Sequence, residues 1–359
     1  MVDVCVPRTE TRVVTKYGDI AESRYALVEI RSDGLTGIGE APTERWWTGE
    51  DAVTVRNAVE RYLAPELVHL ELALDEAVAA MDAAVAANVY AKAAVEMALW
   101  DLVGKREGLP LHELLGGPAR PVPIKYGIGA VSADAARDAA LEGKSLGFRW
   151  FKVKGDGDLA RDLARFEAVA DALDGDNRFG VDANGGWTPD EARDALRVLT
   201  ELGAAFLEQP VARAFPNVLA ELRDEAPMPV IAHESIFTLE DGARAAADGI
   251  ADVWALTPGT HGGLLPTLRL LELAHSSGVD CLIGSTFELG VATATLVHLA
   301  SAFDELALGA IPSDLVGPLY HSEDIVVPEH RIVDGFIQVP VGPGLGVELD
   351  PDRLAAFDA

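Results

Sequence analysis

From Pro121 onward the chain repeats one pattern: a short apolar run that stops at a polar or special residue, then a longer stretch with helical spacing. The runs are Phe151-Lys152-Val153-Lys154, Val181-Asp182-Ala183-Asn184, Phe206-Leu207-Glu208, Val230-Ile231-Ala232-His233-Glu234, Val253-Trp254-Ala255-Leu256-Thr257, Leu282-Ile283-Gly284-Ser285 and Leu308-Gly309-Ala310-Ile311. Taking Lys154, Asp182, Glu208, His233, Thr257, Ser285 and Ile311 as run ends, the successive separations are 28, 26, 25, 24, 28 and 26 residues. A strand, a helix and two loops fill about that length, so the spacing predicts successive βα units of a closed barrel. Such barrels carry their chemistry at the C-terminal ends of the strands, where these polar residues fall. An open doubly wound sheet also alternates β and α, but it does not call for ionisable groups at consecutive strand ends.

Before this repeat, Val13 to Tyr17 and Tyr25 to Ser32 read as strands, with Gly34, Gly37 and Gly39 as turn markers. An Ala-rich helical region follows from about Glu50 to Val103, broken near Pro65 and Asn88 and closed by Gly116-Gly117-Pro118. The tail from Arg331 lacks another βα repeat and is expected to pack back on the N-terminal part. The fold class is therefore α/β: an α+β unit over 1–118, joined by the C-terminal segment 322–359, and a barrel over 119–321.

Length and composition agree, since 359 residues hold a barrel of roughly 200 to 250 residues plus a second unit. No run of about 18 apolar residues occurs, so no membrane span is expected, and MVDVCVPRTE lacks the pattern of a signal peptide. Cys5 and Cys281 lie far apart without metal-like spacing, which suits a reducing cytoplasm. Charge changes the picture more. Fifty-eight acidic residues oppose 29 basic ones, a net charge of −29, and acids such as Asp190-Glu191 and Asp224-Glu225 spread over expected helix faces. Halophile proteins use such a surface; an acidic docking face is the competing reading. Without a basic patch, nucleic acid is not an expected partner.

Only seven of the basic residues are lysine, which makes Lys152 and Lys154 stand out. Two apart on a strand, they point to the same face. Ammonium groups roughly 6 to 7 Å apart repel by about 2 to 3 kcal/mol at an effective dielectric near 20. That is on the order of two pK units, enough to bring a lysine toward use as a base near neutral pH. Asp182 and Glu208 end the next two strands, an arrangement that suits a hard divalent cation. Such a cation would offset the charge of an enolate formed when a carboxylate substrate loses its α-proton. Asn184 shares the face of Asp182 and is a candidate for orienting a ligand. The plainer reading is a surface lysine pair and two structural acceptors.

Lys152-Val153-Lys154, Val181-Asp182-Ala183-Asn184-Gly185-Gly186-Trp187 and Leu207-Glu208-Gln209-Pro210 together resemble the enolase superfamily, and within it the muconate-lactonizing subgroup. Gly37-Ile38-Gly39-Glu40-Ala41, Gly262-Gly263, Gly284-Ser285-Thr286-Phe287-Glu288, Asp314-Leu315-Val316-Gly317-Pro318 and Gly342-Pro343-Gly344-Leu345-Gly346 extend the resemblance over nearly the whole chain. It implies an α+β capping domain over a modified (β/α)7β TIM-type barrel, with Mg²⁺ held by three acidic groups. It further implies that cap loops near Thr15 to Asp19 and Pro42 to Gly49 choose the substrate, making Lys16, Arg45, Trp46 and Trp47 lid candidates. Glu288 matches a family glutamate with either a supporting or a structural role.

Two departures stand against the family pattern. The fifth strand carries His233-Glu234-Ser235 where the subgroup has Asp-Glu-Ser. Histidine suits Mn²⁺ or another transition metal better than Mg²⁺, so three readings stay open: His233 as ligand, Glu234 in its place, or a metal site weakened or lost. On the sixth strand the family's second lysine falls on Thr257, which is no base near neutral pH. Only the Lys152/Lys154 face is then equipped, unless His233 or His261 reaches across, and one-base chemistry is favoured over two-base racemisation. The expected function is a metal-dependent lyase or isomerase of the cycloisomerase or dehydratase type. It would act on a small carboxylate with Lys154 as base and Lys152 as its electrostatic partner. A racemase or epimerase of amino-acid derivatives and a degenerate carboxylate-binding member are the rivals; a homo-oligomer is compatible with the apolar barrel helices.

Overall fold

The structure, a computed structural model, describes residues 1–7, 15–18, 22–68, 73–315 and 317–357. Strands β1 (Val2–Pro7), β2 (Glu22–Ser32) and β3 (Leu35–Pro42) form an antiparallel sheet in that order. The β2–β3 hairpin turns on Asp33-Gly34, both at positive φ (52° and 79°), the two-residue turn such a dipeptide favours. Gly37 and Gly39, expected as turn markers, lie instead inside β3. A Cβ at either would strike the backbone of the helix Val89–Glu107 at Ala98 or Ala94, so both glycines serve close packing of helix on strand. The expected break at Asn88 is present, with φ 51° just before that helix. The strand expected at Val13 to Tyr17 lies partly outside the described residues; Thr15 to Gly18 form a tight turn closed by Gly18 N–H donating to Thr15 O at 2.9 Å.

Beyond β4 (Val122–Pro123) run seven parallel strands: β5 (Tyr126–Ile128), β6 (Trp150–Lys154), β7 (Arg178–Asp182), β8 (Leu207–Glu208), β9 (Val230–Ala232), β10 (Val253–Leu256) and β11 (Asp280–Ile283). Between the two edges, Ser313-Asp314 closes the barrel. Lys125 N–H donates to Ser313 O at 3.1 Å and Asp314 N–H to Ile283 O at 2.8 Å. The eighth strand end is thus Asp314, three residues past the expected Ile311. Ile311 packs lower down, with Phe206, Ile231, Val253, Ala255 and Leu282, in the apolar plug of the barrel.

Two carboxylates tie the N-terminal unit to barrel helices. Glu40 accepts from Leu289 N (2.7 Å) and Ala292 N (3.0 Å), and Glu96 accepts from Leu264 N and, at 2.9 Å, Leu265 N. Each satisfies N–H groups that a helix start leaves unpaired. Burial pushes Glu40 up to about 8 and Glu96 to about 7, against the pull of those hydrogen bonds. The tail joins the same assembly: Asp101 accepts from Ile38 N and Leu345 N, and β13 (Phe336–Ile337) pairs with β4 and with β12 (Ile332–Val333).

Candidate active site

Parallel register sets the first groups side by side, since Lys154 pairs with Asp182 and Asp182 with Glu208 across β6, β7 and β8. Strand alternation puts Lys152 and Lys154 on the barrel interior while Val153 packs behind. Lys154 Nζ donates to Asp182 Oδ2 (2.5 Å) and Asn184 Oδ1 (3.1 Å). Lys152 Nζ donates to Asp314 Oδ2 (2.6 Å) and lies 3.4 Å from both Glu208 oxygens and 3.5 Å from Asp182 Oδ2. The expected depression of a lysine pKa by its twin does not hold at Lys152. Burial works in that direction, but Asp314, Glu208 and Asp182 together hold its ammonium well above the usual lysine range. Burial likewise opposes ionisation of Asp182, yet Lys154 and Lys152 keep its carboxyl below the ordinary range.

The opposite side carries no lysine. His233 Nδ1 lies 3.1 Å from Glu208 Oε1 and Nε2 lies 3.0 Å from Thr257 Oγ1. An ionised carboxylate only accepts, so Nδ1 carries the proton toward Glu208, and in the neutral ring Thr257 donates to Nε2. Gly284 makes room for this pair: a Cβ there would sit 2.6 Å from His233 Nε2 and 2.7 Å from Thr257 Oγ1. His261 does not reach across. Its Nε2 accepts from Thr257 N–H (3.0 Å), its Nδ1 donates to Phe237 O (3.1 Å), and burial brings its pKa down to about 4.

Glu234 Oε1 accepts from Asn184 Nδ2 at 2.9 Å, while Oε2 is buried and has no hydrogen-bond partner among the described residues. Burial and then the charge of Asp182 raise its pKa. Asn184 holds both neighbours from a left-handed conformation, φ 48°, which asparagine tolerates. Glu288 is spent on its own loop: Ser285 Oγ (2.5 Å), Thr286 N (2.7 Å) and Thr286 Oγ1 (2.7 Å) all donate to it.

From the cap, the helical turn Arg45–Thr48 brings Trp47 over the site, its ring 4.7 Å from that of His233. Trp47 lines a small pocket with Tyr17, Glu44, Lys154, Asn184 and Thr286. The other lid candidates lie outside it. Arg45 covers Trp46 at 4.2 Å, Trp46 stacks on Tyr17 at 5.7 Å, and Lys16 stands 5.0 Å over Tyr17. Asp19 lies outside the described residues. A larger hollow lined by Asp174, Arg178 and Gly203 opens at the far end of the strands, away from every group above.

For a divalent cation, the donor chemistry fits. Asp182 and Glu208 are fully buried neighbours, and Glu234 offers an oxygen with no other partner. His233 fits less well, both ring nitrogens being engaged. Among the described residues no three such side chains converge as a ligand set, and the Lys154 ammonium is bonded to Asp182 and Asn184. The residues missed in the sequence are Asp314 and Lys125, the latter fully buried with its ammonium 3.4 Å from Asp314 Oδ1. Lysine scarcity was the available signal, since Lys125 interrupts the apolar run Val122 to Ile128.

Barrel and site together define an enzyme that handles a proton beside a carboxylate group. Residues 132–353 match the family described as enolase C-terminal domain-like, and residues 1–116 match the mandelate racemase/muconate lactonizing enzyme N-terminal domain, so the chain belongs to the enolase superfamily in its muconate-lactonizing subgroup. Muconate cycloisomerase 1 of Rhodococcus opacus is 37% identical over 345 residues, spanning 94% of this chain and 91% of the relative. A chloromuconate cycloisomerase of Cupriavidus necator is 33% identical over 94% and 92% of the two chains. Among solved structures, 2-chloromuconate cycloisomerase from Rhodococcus opacus 1CP superposes with a TM-score of 0.95 at 32% identity, covering 100% of this chain and 98% of that one. The L-Ala-D/L-Glu epimerase from Bacillus subtilis does so with 0.91 at 28% identity, covering 96% of each. The chain is an enolase-superfamily isomerase, and the cycloisomerases account for it better than the epimerase. Enzymes of this superfamily use a divalent metal, and they act on small carboxylates. No helix among the described residues is long and apolar enough to cross a membrane.

Proposed function

We propose that the protein is a cycloisomerase of an unsaturated dicarboxylate of the muconate type, with Lys154 as the single acid/base. The observation that carries this reading is the one-sided mouth: Lys154 and Lys152 face Asp182 and Glu208, while Thr257 and His233 answer from across the barrel without a lysine. In the lactonising direction one substrate carboxylate adds to the carbon–carbon double bond conjugated with the other. The resulting enolate takes its proton at the α-carbon from Lys154, and in reverse Lys154 removes it. Lys152, flanked by three carboxylates, stays protonated and offsets negative charge. Trp47 covers the pocket and excludes water.

A divalent cation, Mg²⁺ for an oxygen donor set, would supply further positive charge against the enolate. Asp182 and Glu208 would hold it, with Glu234 as third donor in preference to His233. The capping unit over 1–118 with 322–359, the barrel over 119–321 and a cytoplasmic setting belong to the same reading. So does the acid-rich surface, which suits concentrated salt. If it does, the urea midpoint rises steadily with added KCl as repulsion is screened.

Incubation of the purified protein and Mg²⁺ with cis,cis-muconate in D₂O tests the function. The expected product is a lactone with one deuterium at the α-carbon, on one face only. Racemisation of a dipeptide or an N-acylated amino acid without lactone formation would overturn the reading.

A further inference from the structure

Three of the seven lysines lie inside the barrel, and Lys125 has no part in the reaction above. It comes from the stretch between β4 and β5, and its ammonium stands 4.9 Å over the Phe206 ring, on the apolar plug beneath the site. An ammonium at that depth is costly unless paired. Its counter-ion is Asp314, whose Oδ1 lies 3.4 Å away while Oδ2 receives Lys152 at 2.6 Å. One carboxylate therefore lies between two lysines, Lys152 on β6 and Lys125 just ahead of β5.

We infer that Lys125 and Asp314 are positioning residues for proton transfer, fixing the Lys152 ammonium beneath the carboxylates of Asp182 and Glu208. This rests on the enolate chemistry proposed above. Lys152 has both Glu208 oxygens and Asp182 within 3.5 Å, and without a lower anchor it would move up among them and crowd Lys154. Asp314 provides that anchor and cannot swing away. Its N–H is tied to Ile283 O, the adjoining Ser313 accepts from Lys125 N–H, and the Lys125 ammonium lies 3.4 Å from its second oxygen. Asp314 also stays ionised: burial works against this, but Lys125 and Lys152 hold its carboxyl below the usual range. The seam that closes the barrel thus sets the height of a charge in the site.

The test compares Lys125→Met, Asp314→Asn and the double variant with wild type. Deuterium uptake at the α-carbon of muconolactone in D₂O gives kcat and KM, and thermal unfolding reports stability. Methionine fills the lysine stem without its charge. The expected result is a fall in kcat of about tenfold for Lys125→Met and about 100-fold for Asp314→Asn, with KM within about twofold. The double variant should be no slower than Asp314→Asn, because Lys125 acts only through that carboxylate. A lower melting temperature with unchanged kcat, or losses that multiply in the double variant, would overturn the inference. If wild type exchanges no muconolactone, the muconate reading fails by itself. A crystal structure of Lys125→Met then decides: Lys152 Nζ drawn off Asp314 toward Glu208 supports the positioning role, and Nζ still bonded to Asp314 ends it.

Discussion

Across the barrel mouth, β6 to β8 present two ammonium groups and two fully buried carboxylates, whereas β9 to β11 present His233, Glu234, Thr257 and the bare backbone of Gly284, and no lysine. The first side is held by ion pairs of 2.5 to 3.5 Å. The second is held by hydrogen bonds that run from Glu208 through His233 to Thr257, and from the Thr257 backbone to His261. Against the subgroup pattern given above, His233 stands for an aspartate and Thr257 for a lysine, one charge of each sign, so the formal balance is unchanged. What this side lacks, on the proposed reading, is a second base. On the reading proposed above, a proton then reaches one face of a bound enolate and not the other.

The sharpest way to break this contrast is Lys154→Ala. With no base opposite, α-proton exchange should fall by about 10³-fold, within the usual range for general acid–base catalysis. Circular dichroism should show the fold intact, and exchange at the wild-type rate would remove Lys154 from its role. Next comes the carboxylate half of the charged side. Asp182→Asn should weaken Mn²⁺ binding, read by electron paramagnetic resonance, by more than the roughly 10- to 100-fold typical of groups that only support a metal ligand. Glu234→Gln should follow it more closely than His233→Asn does.

The neutral side responds to space and to acid. Gly284→Ala places a methyl group against His233 and Thr257 and should cost about 1 to 3 kcal/mol in urea unfolding. Adding Thr257→Ala should recover part of that loss. The smallest effect concerns pH. Burial keeps His261 neutral down to about 4, below the 6.5 of a free histidine, so between these values the unfolded chain binds the extra proton. Stability from this group is complete above pH 6.5 and drains away as pH falls toward 4. His261→Asn should flatten that decline by about 1 to 2 kcal/mol in a urea series, and an unchanged slope would show that His261 does not carry it.

Much of this was legible in the chain because strand ends in a barrel repeat at a nearly constant interval. Lys152, Lys154, Asp182, Glu208, His233 and Thr257 stand where that interval puts them. The eighth end was misplaced because Leu308 to Ile311 is apolar for another reason: Ile311 fills the barrel plug, and the closing bonds form at Ser313 and Asp314. Gly37 and Gly39 were misjudged because a glycine that admits a helix looks the same in sequence as one that makes a turn. The lysine pair was treated as two charges in isolation. Its environment depends on which carboxylates other strands bring, Asp314 above all, and pairing between positions 162 residues apart has no local trace.

Glu40 and Glu96 reach out of one structural unit to finish the helix starts of the other. Neither half, cut free, would keep a complete set of satisfied backbone amides. Calorimetry should accordingly record one cooperative heat-absorption peak for the entire chain, and a fragment ending near Gly117 should remain a loose, unfinished sheet and helix.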